Sequence, residues 1–270
     1  MRYTVAETAW GPHVVPTNDV NVALALKAYG EFSIHQAALL FKMLKPGDVA
    51  LDIGANIGAM ALPMLHAVGP TGRVIAFEPQ EPLARACHAT LVLNASNPRS
   101  FEVRQCALGA EPGSLVVPPV DYDAPANNFG CVELEKDGPG TVVPVNKLDL
   151  LDLPRVNVIK IDAEGMEGDV IAGGERLIAH DRPFMLVEND RGAKYLALIA
   201  QIEALGYDCY WFVTRLFNPD NLNGFKTDIY PPNCGSIDMV CCPKGEPLPD
   251  FLAGLPAATE ANAKAFSFAR

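Results

Sequence analysis

The sequence predicts an α/β protein built on one mostly parallel sheet of seven strands, covered by helices and ending in an antiparallel hairpin. Three observations carry this. Short apolar runs alternate with segments of helical period along most of the chain. The last two runs, 207–213 and 236–242, have no helical segment between them, so they form a hairpin and one of the two must run antiparallel. The alternation pauses once, over 109–146, where Pro and Gly gather around SLVV and TVVPV. That stretch reads as a β-rich insertion before strand four.

The residues justify each element in order. Ser33 with Gln36 resembles a capping box, and Ile34, Ala37, Ala38, Phe41 and Leu44 recur at helical spacing until Pro46-Gly47 stops the run. VALDIG (49–54) is a buried first strand. Ile57, Met60, Ala61, Met64, Leu65 and Val68 give the next helix, with a kink expected at Pro63. RVIAFEP (73–79) is the second strand. Pro82 falls early in the helix that follows, where its missing N–H costs little, and Leu83, Ala86, Cys87, Thr90 and Leu91 form the inner face. FEVRQCAL (101–108), VNVIKID (156–162) and FMLVEN (184–189) are strands three, four and five. A helix over 166–180 links the fourth to the fifth. Tyr195, Leu198, Ile199, Ile202 and Leu205 form another, closed by Gly206. YDCYWFV and SIDMVCC complete the sheet, and the long loop between them, 214–235, has the length of a functional segment. The expected organisation is an N-terminal extension (1–32), a core domain (33–243) and a loosely packed Pro/Ala-rich tail (244–270).

Composition narrows the function. At 49% apolar types the chain can bury a sizeable core, and no low-complexity tract is present. Its formal charge of −11 disfavours a polynucleotide partner, because counterion release rewards basic surfaces. No apolar run of about 18 residues exists to span a membrane, and the N-terminus lacks the basic start and apolar run of a signal peptide. The seven cysteines are odd in number and contain no CxxC, which suits core thiols in a reducing cytoplasm. Cys241 and Cys242 should face opposite sides of their strand.

Asp52-Ile-Gly-Ala-Asn-Ile-Gly58 is the most informative segment. It follows a strand and opens a helix, so its glycines let a ligand approach the backbone while the helix start offers free N–H groups. A dinucleotide site is written GxGxxG. This loop is GxxxG after a carboxylate that would repel a pyrophosphate and attract an α-ammonium group. S-adenosylmethionine is a cation without phosphate and fits that loop, with Asp52, Gly54, Asn56 and Gly58 as contacts. Glu78 ends the second strand 26 residues after Asp52, where an acid accepts the ribose hydroxyls. The adenine platform is expected at the end of strand three, on Gln105, Ala107 and the neighbouring backbone.

The second segment is Lys160-Ile-Asp-Ala-Glu-Gly-Met-Glu167. Lys160, Asp162 and Glu164 alternate, so they share a face while the strand lasts, at its carboxyl end where α/β sites lie. Two readings stand: a structural Lys–Asp pair, or a proton acceptor, Asp162 or Glu164, with Lys160 steering the acceptor oxygen. Glu188 and Asn189 end the fifth strand beside the same crevice. Asp162, Glu164 and Glu188 offer oxygen ligands of the kind Mg²⁺ takes, but no cluster has metal-ligand spacing and no metal is expected. The five histidines are scattered, His35 being the one within reach of the site as a base. Tyr230-Pro-Pro-Asn233 reads as a turn.

DVALDIGANIG (48–58), VIAFEP (74–79), KLD (147–149) and VIKIDAEGMEGDVIAGG (158–174) resemble the FkbM family of S-adenosylmethionine-dependent methyltransferases, over roughly residues 29–243 with the spacing between motifs. Ala163 and Met166 stand where the family often writes Val and His. YGE (29–31), NNFG (127–130) and FNPDNLNG (217–224) resemble segments of members that modify surface polysaccharides or secondary metabolites. The resemblance implies a Rossmann-like class I methyltransferase fold, S-adenosylmethionine as cofactor, and O-methylation of a hydroxyl on a sugar, glycan or secondary metabolite. It brings in Glu31 as a cofactor contact and Asn127, Asn128 and Asn221, with Glu188, as acceptor contacts. The asparagines are equally good turn formers. A nucleotide-dependent oxidoreductase is opposed by the GxxxG loop and Asp52. A non-catalytic binding protein with the cofactor fold is opposed by the acids of strand four.

Overall fold

The structure is a computed structural model that describes residues 1–190, 195–232, 234–246 and 249–263. Residues 264–270 of the expected tail and Asn233 of the expected turn lie outside the described residues. Strands β1 (Tyr3–Thr8) and β2 (Gly11–Pro16) form a hairpin and lead into helices α1 (Val22–Tyr29) and α2 (Ile34–Met43). Then come β3 (Val49–Ile53), α3 (Ala61–Val68), β4 (Arg73–Phe77), α4 (Glu81–Asn94) and β5 (Phe101–Arg104). The insertion contains β6 (Ala107–Leu108), β7 (Gly113–Val117) and β8 (Thr141–Asn146), which make a sheet of their own. The chain continues through β9 (Val158–Ile161), α5 (Glu167–Gly173), α6 (Glu175–Asp181), β10 (Phe184–Glu188), α7 (Tyr195–Ala204), β11 (Tyr207–Arg215), β12 (Gly235–Pro243) and α8 (Glu260–Ala263).

The main sheet has seven strands in the order β11-β12-β10-β9-β3-β4-β5. Only β12 runs antiparallel to its neighbours, as the closing hairpin predicts. Alternate residues supply two cores. Ala50, Val74, Val158, Leu186, Val240 and Cys242 face α2, α3 and α4. Leu51, Ile75, Ile159, Met185, Met239 and Cys241 face α5, α6 and α7. Cys241 and Cys242 thus lie on opposite faces, and all seven cysteines are free thiols. All main-sheet strands that form the site's edge end on one side, which gathers the β3, β4, β9 and β10 carboxyl ends into a crevice.

Several elements differ from the sequence expectation. Ser33 does not cap α2: its φ is +43°, whereas a capping residue needs extended backbone, and Gln36 donates instead to Ser236 and Asp238. Helix α3 starts at Ala61 because residues 55–60 are used for the turn, so Pro63 sits in the first helical turn, where no N–H is required, and causes no kink. The expected strand 101–108 breaks after Arg104, and Ala107 joins the small sheet opposite Val145. The expected helix 166–180 is two helices. A side chain at Gly173 would overlap the Gly109 carbonyl, so the insertion approaches too closely for a continuous bulky helix. The described part of the tail, 249–263, packs on the sheet edge instead of lying loose: the Trp211 N–H donates to Pro256 and the Ala258 N–H to Cys209, each at 2.8 Å, with Leu252 and Ala258 buried. β11 is an edge strand whose free backbone groups the tail satisfies. The β1–β2 hairpin and α1, absent from the reading of 1–32, pack on α4 and the glycine turn.

Candidate active site

The turn after β3 is held by its backbone. Gly54, Asn56 and Gly58 have φ of +77°, +51° and +90°. A side chain on Gly54 would overlap the Asp162 carbonyl oxygen, which makes glycine a requirement of the β3–β9 approach. The Gly54 and Ala55 N–H groups both donate to the Phe77 carbonyl at 3.0 Å. Beneath the turn, His13 Nε2 lies 3.0 Å from the Ile57 carbonyl; burial lowers its pKa to about 4, so the ring is neutral and donates this bond.

Two carboxylates flank the turn. Glu78 is buried, with Oε2 accepting from the Asn56 N–H and Oε1 from the Gln80 N–H, both at 2.8 Å. Burial pushes its pKa up to about 7 against those donors. Asp52 is fully buried, and no donor reaches its oxygens at ordinary hydrogen-bond length; the Ala61 N–H and the Lys160 ammonium are the donors turned towards it. Its nearest cation is the Lys160 ammonium at 3.6 Å. Burial raises the Asp52 carboxyl above its ordinary range, with Lys160 pulling the other way. A buried acid with unfilled acceptor capacity, beside a glycine turn at a helix start, fits a cofactor that brings an ammonium group and ribose hydroxyls and no phosphate.

Lys160 ties the segments together. Its Nζ lies 3.1 Å from Asp162 Oδ2 and 3.2 Å from the Gly54 carbonyl, in addition to Asp52. Burial opposes its charge, but Asp162 and Asp52 outweigh that and hold the ammonium above its ordinary pKa. Beyond Asp162 the chain turns sharply. Glu164 has φ +50° and Gly165 +94°, a left-handed pair of which only the glycine is at ease. The buried Glu167 carboxylate holds this turn, with Oε1 accepting from the Ala163 N–H at 2.9 Å and the Gly165 N–H at 3.0 Å. Across the crevice stand Glu188 and Asp238, paired in register on β10 and β12. Burial, then the charges of Asp162, Asp190, Asp238 and Glu164, raise Glu188 well above the carboxylate range. Burial pushes Asp238 up to about 7 despite donors from Ser236 and Gln36. Among the described residues the crevice is therefore lined by acids, with one buried cation, Lys160, in its floor.

Removing the strut has a definite expected result. Glu167→Ala deletes two hydrogen bonds to a buried charge and should lower stability by about 2–4 kcal/mol. Thermal unfolding checks this, and an unchanged melting temperature would contradict the role of Glu167.

Glu78 also predicts a pH dependence. Its folded pKa is about 7 against an ordinary 4.5, so its contribution to stability is fully present below about pH 4.5 and is lost as pH rises through 7. The loss across that window is on the order of 3 kcal/mol. Asp238 acts in the same direction. The cofactor-free protein should lose melting temperature between pH 4.5 and 8, and Glu78→Gln should make the decline shallower. An identical decline in wild type and variant would rule this out.

The three outlying motifs also meet structure. Asn218 Nδ2 donates to Glu31 Oε1 at 2.8 Å, joining FNPDNLNG to YGE. The buried Tyr29 ring packs against Phe217, Phe225 and Tyr230. NNFG lies against the glycine turn: a side chain on Gly130 would reach within 2.9 Å of Asn56 Nδ2. Gln80 Nε2 donates to the Phe129 carbonyl and Gln80 Oε1 accepts from the Tyr122 hydroxyl. Asp19 Oδ2 accepts from the Phe129 N–H while Oδ1 caps α1.

The structure thus brings Asp52, Gly54, Asn56, Gly58, Glu78, Lys160, Asp162, Glu164 and Glu188 to one sheet edge. Other candidates stand differently. Asn221 donates to the Asn218 and Phe225 carbonyls and accepts from the Phe225 N–H, so its side chain builds the loop as a turn former. Asn127 links to Asn18 and Val20 through its backbone. Asn128 accepts from Gly130 and donates to Cys131. Gln105 is exposed, and Ala107 is buried in the small sheet. His35 is exposed and lines a separate cleft. The reading from sequence missed Glu167, Gln80, Tyr122 and Asp19. Only Glu167 carried a local signal, an acid just after a Glu-Gly turn and at the start of a helix.

The sheet order, the glycine turn and the acids at the ends of β3, β4 and β9 define a Rossmann-like methyltransferase. The model of the methyltransferase FkbM domain matches residues 52–209, more than half of the chain, and the chain belongs to that family. Its methyl donor is S-adenosylmethionine. Among curated proteins it is similar to ribosomal RNA small subunit methyltransferase A of a Burkholderia species, 28% identical over 108 residues, which are 37% of this chain and 39% of that protein. The chain therefore spans about two fifths of the curated relative it matches. Among solved structures it is similar to the FkbM methyltransferase of Methylobacillus flagellatus KT, at 14% identity and a TM-score of 0.46 over 81% of this chain and 54% of that one. A precorrin-6y C5,15-methyltransferase from Geobacter metallireducens GS-15 aligns at 13% identity and a TM-score of 0.48 over 77% of this chain and 86% of that one. These distant likenesses do not bear on the acceptor. Among the described residues no helix is long and apolar enough to cross a membrane, and no group of three or more His, Cys, Asp or Glu is arranged to hold a metal ion.

Proposed function

We propose that the protein is an O-methyltransferase acting on a hydroxyl of a sugar, glycan or related small metabolite. The observation that carries this reading is the acid-lined crevice: Glu164 on a strained turn beside Asp162, with Glu188 opposite. When bound, the cofactor supplies a sulfonium-linked methyl group that the acceptor oxygen takes in line, the carbon–sulfur electron pair going to sulfur. An aliphatic hydroxyl is a very weak acid, so a carboxylate must accept its proton as the oxygen attacks. Glu164 is our choice for that role, because its side chain starts beyond the strand end. Asp162 is engaged with Lys160 and holds the floor of the site. The Lys160 ammonium lies against Asp52 and Asp162 and orients the acceptor oxygen. Asp52 receives the cofactor's ammonium end and Glu78 its ribose. Asn128 and Glu188 border the acceptor. The charge of −11 argues against a polynucleotide acceptor.

The test is an acceptor screen with purified protein and radiolabelled S-adenosylmethionine, against cell-envelope glycans, sugar metabolites, tRNA and ribosomal RNA. Methyl transfer to a hydroxyl-rich small molecule or glycan is expected. Transfer to RNA with no glycan or metabolite turnover would overturn the reading.

A further inference from the structure

Beside the acidic crevice opens a second cleft, of about 560 Å³. One wall is a face of α2, where His35, Ala38, Leu39 and Lys42 recur at i, i+3, i+4 and i+7. The facing wall is the end of β11, from Phe212 to Arg215. Phe217, Asn218 and Phe251 complete the rim, and Phe251 is 40% exposed. Among the described residues none of the side chains lining this cleft is acidic, although the chain has 32 acids against 21 Lys and Arg. Lys42 and Arg215 thus place two cationic side chains beside His35, in a protein whose other sheet-edge crevice is lined by acids.

The cleft belongs to the same edge of the sheet. β11 and β10 are both antiparallel to β12, so they run together and Arg215 lies at the carboxyl edge with Glu188. The order β9-β10-β12-β11 separates β9 from β11 by three strand spacings, about 14 Å. Asn218 spans the gap in part, lining the cleft while bonding Glu31. A ligand reaching from one site to the other must carry an uncharged hydroxyl at the acidic end and an anion at the basic end. The phenylalanine rings add an apolar surface for a flat group, and the volume suits a small organic molecule.

We propose that this cleft holds the nucleoside diphosphate end of the acceptor, the phosphates near Lys42, His35 and Arg215 and the base against the phenylalanines, with the sugar hydroxyl directed to Glu164. The assignment rests on the O-methyltransferase reading above. It predicts that charge sorting orients the acceptor, since a phosphate is repelled by Asp162 and Glu164 and attracted to the cleft.

The test is calorimetric titration of the full chain, saturated with S-adenosylhomocysteine so that the cofactor's own nucleoside site is filled. Uridine diphosphate should bind, and uridine at least tenfold more weakly. Lys42→Glu and the double variant Lys42→Glu/Arg215→Glu should each weaken uridine diphosphate, the double variant at least tenfold, while S-adenosylhomocysteine affinity stays as in wild type. Uridine binding as tightly as the diphosphate, equal diphosphate affinity in wild type and the double variant, or no diphosphate binding to wild-type protein that binds S-adenosylhomocysteine normally would each overturn the inference and leave the methyltransferase reading intact. Failure of wild type to bind S-adenosylhomocysteine would overturn both.

Discussion

Replacing Glu164 by Gln is expected to lower kcat by roughly 10²–10⁴ while leaving S-adenosylmethionine affinity almost unchanged. The amide keeps the shape of the side chain and removes its basicity, so the loss belongs to the proton-transfer step. The turn that carries Glu164 is held by Glu167, through bonds to Ala163 and Gly165. Single-turnover kinetics with saturating cofactor would separate this loss from binding. Asp162→Asn should behave differently. It removes the 3.1 Å ion pair of Lys160, leaving that buried ammonium with the Gly54 carbonyl at 3.2 Å and Asp52 at 3.6 Å, and should therefore affect stability and cofactor affinity together with rate. Activity that survives both substitutions would move the base elsewhere, with Glu188 next in order, since His35 lines the separate cleft.

The second large effect is on the cofactor. Asp52→Asn and Glu78→Ala should each weaken S-adenosylmethionine by about 2–4 kcal/mol, the loss of charge-assisted contacts to the ammonium and the ribose. Both acids are buried beside the glycine turn, and no donor reaches the Asp52 oxygens at ordinary hydrogen-bond length. Calorimetry on the two variants checks the assignment, with circular dichroism to establish that they fold. Wild-type affinity in both would remove Asp52 and Glu78 from the cofactor site. The two differ in a second respect. Glu78 is bonded to the Asn56 and Gln80 N–H groups, so its removal also loosens the turn, whereas Asp52→Asn leaves those bonds in place.

Much of this site could be read along the chain because its parts are local. Asp52 to Gly58 is a strand end and a tight turn in seven consecutive residues, with the helix beginning three residues later at Ala61. Lys160, Asp162 and Glu164 are likewise close in sequence, and period-two alternation sends Lys160 and Asp162 to one face, Glu164 following on the left-handed turn. The same alternation set Cys241 against Cys242 and separated the two cores. Where two local signals competed, the reading failed. Ser33 and Gln36 have the spacing of a capping box, but the backbone at Ser33 is left-handed and Gln36 has a partner two hundred positions away in Asp238. Residues 101–108 look like one strand, but the chain leaves the main sheet after Arg104 to pair Ala107 with Val145.

Hydrophobic period and turn chemistry, which act over a few residues, were enough to determine the α/β class, the closing hairpin, the glycine turn and the acids at the strand ends. Only the tertiary structure decided which of those charges meet. Lys160 pairs with Asp52 and Asp162 because β9 lies beside β3 in the sheet, a neighbour relation that no local pattern encodes. Glu31 meets Asn218, NNFG settles on the glycine turn, and a basic cleft forms between α2 and β11 for the same reason. Each joins segments separated by tens to hundreds of residues, and the packing of helices on the sheet, rather than the propensity of any segment, sets those distances.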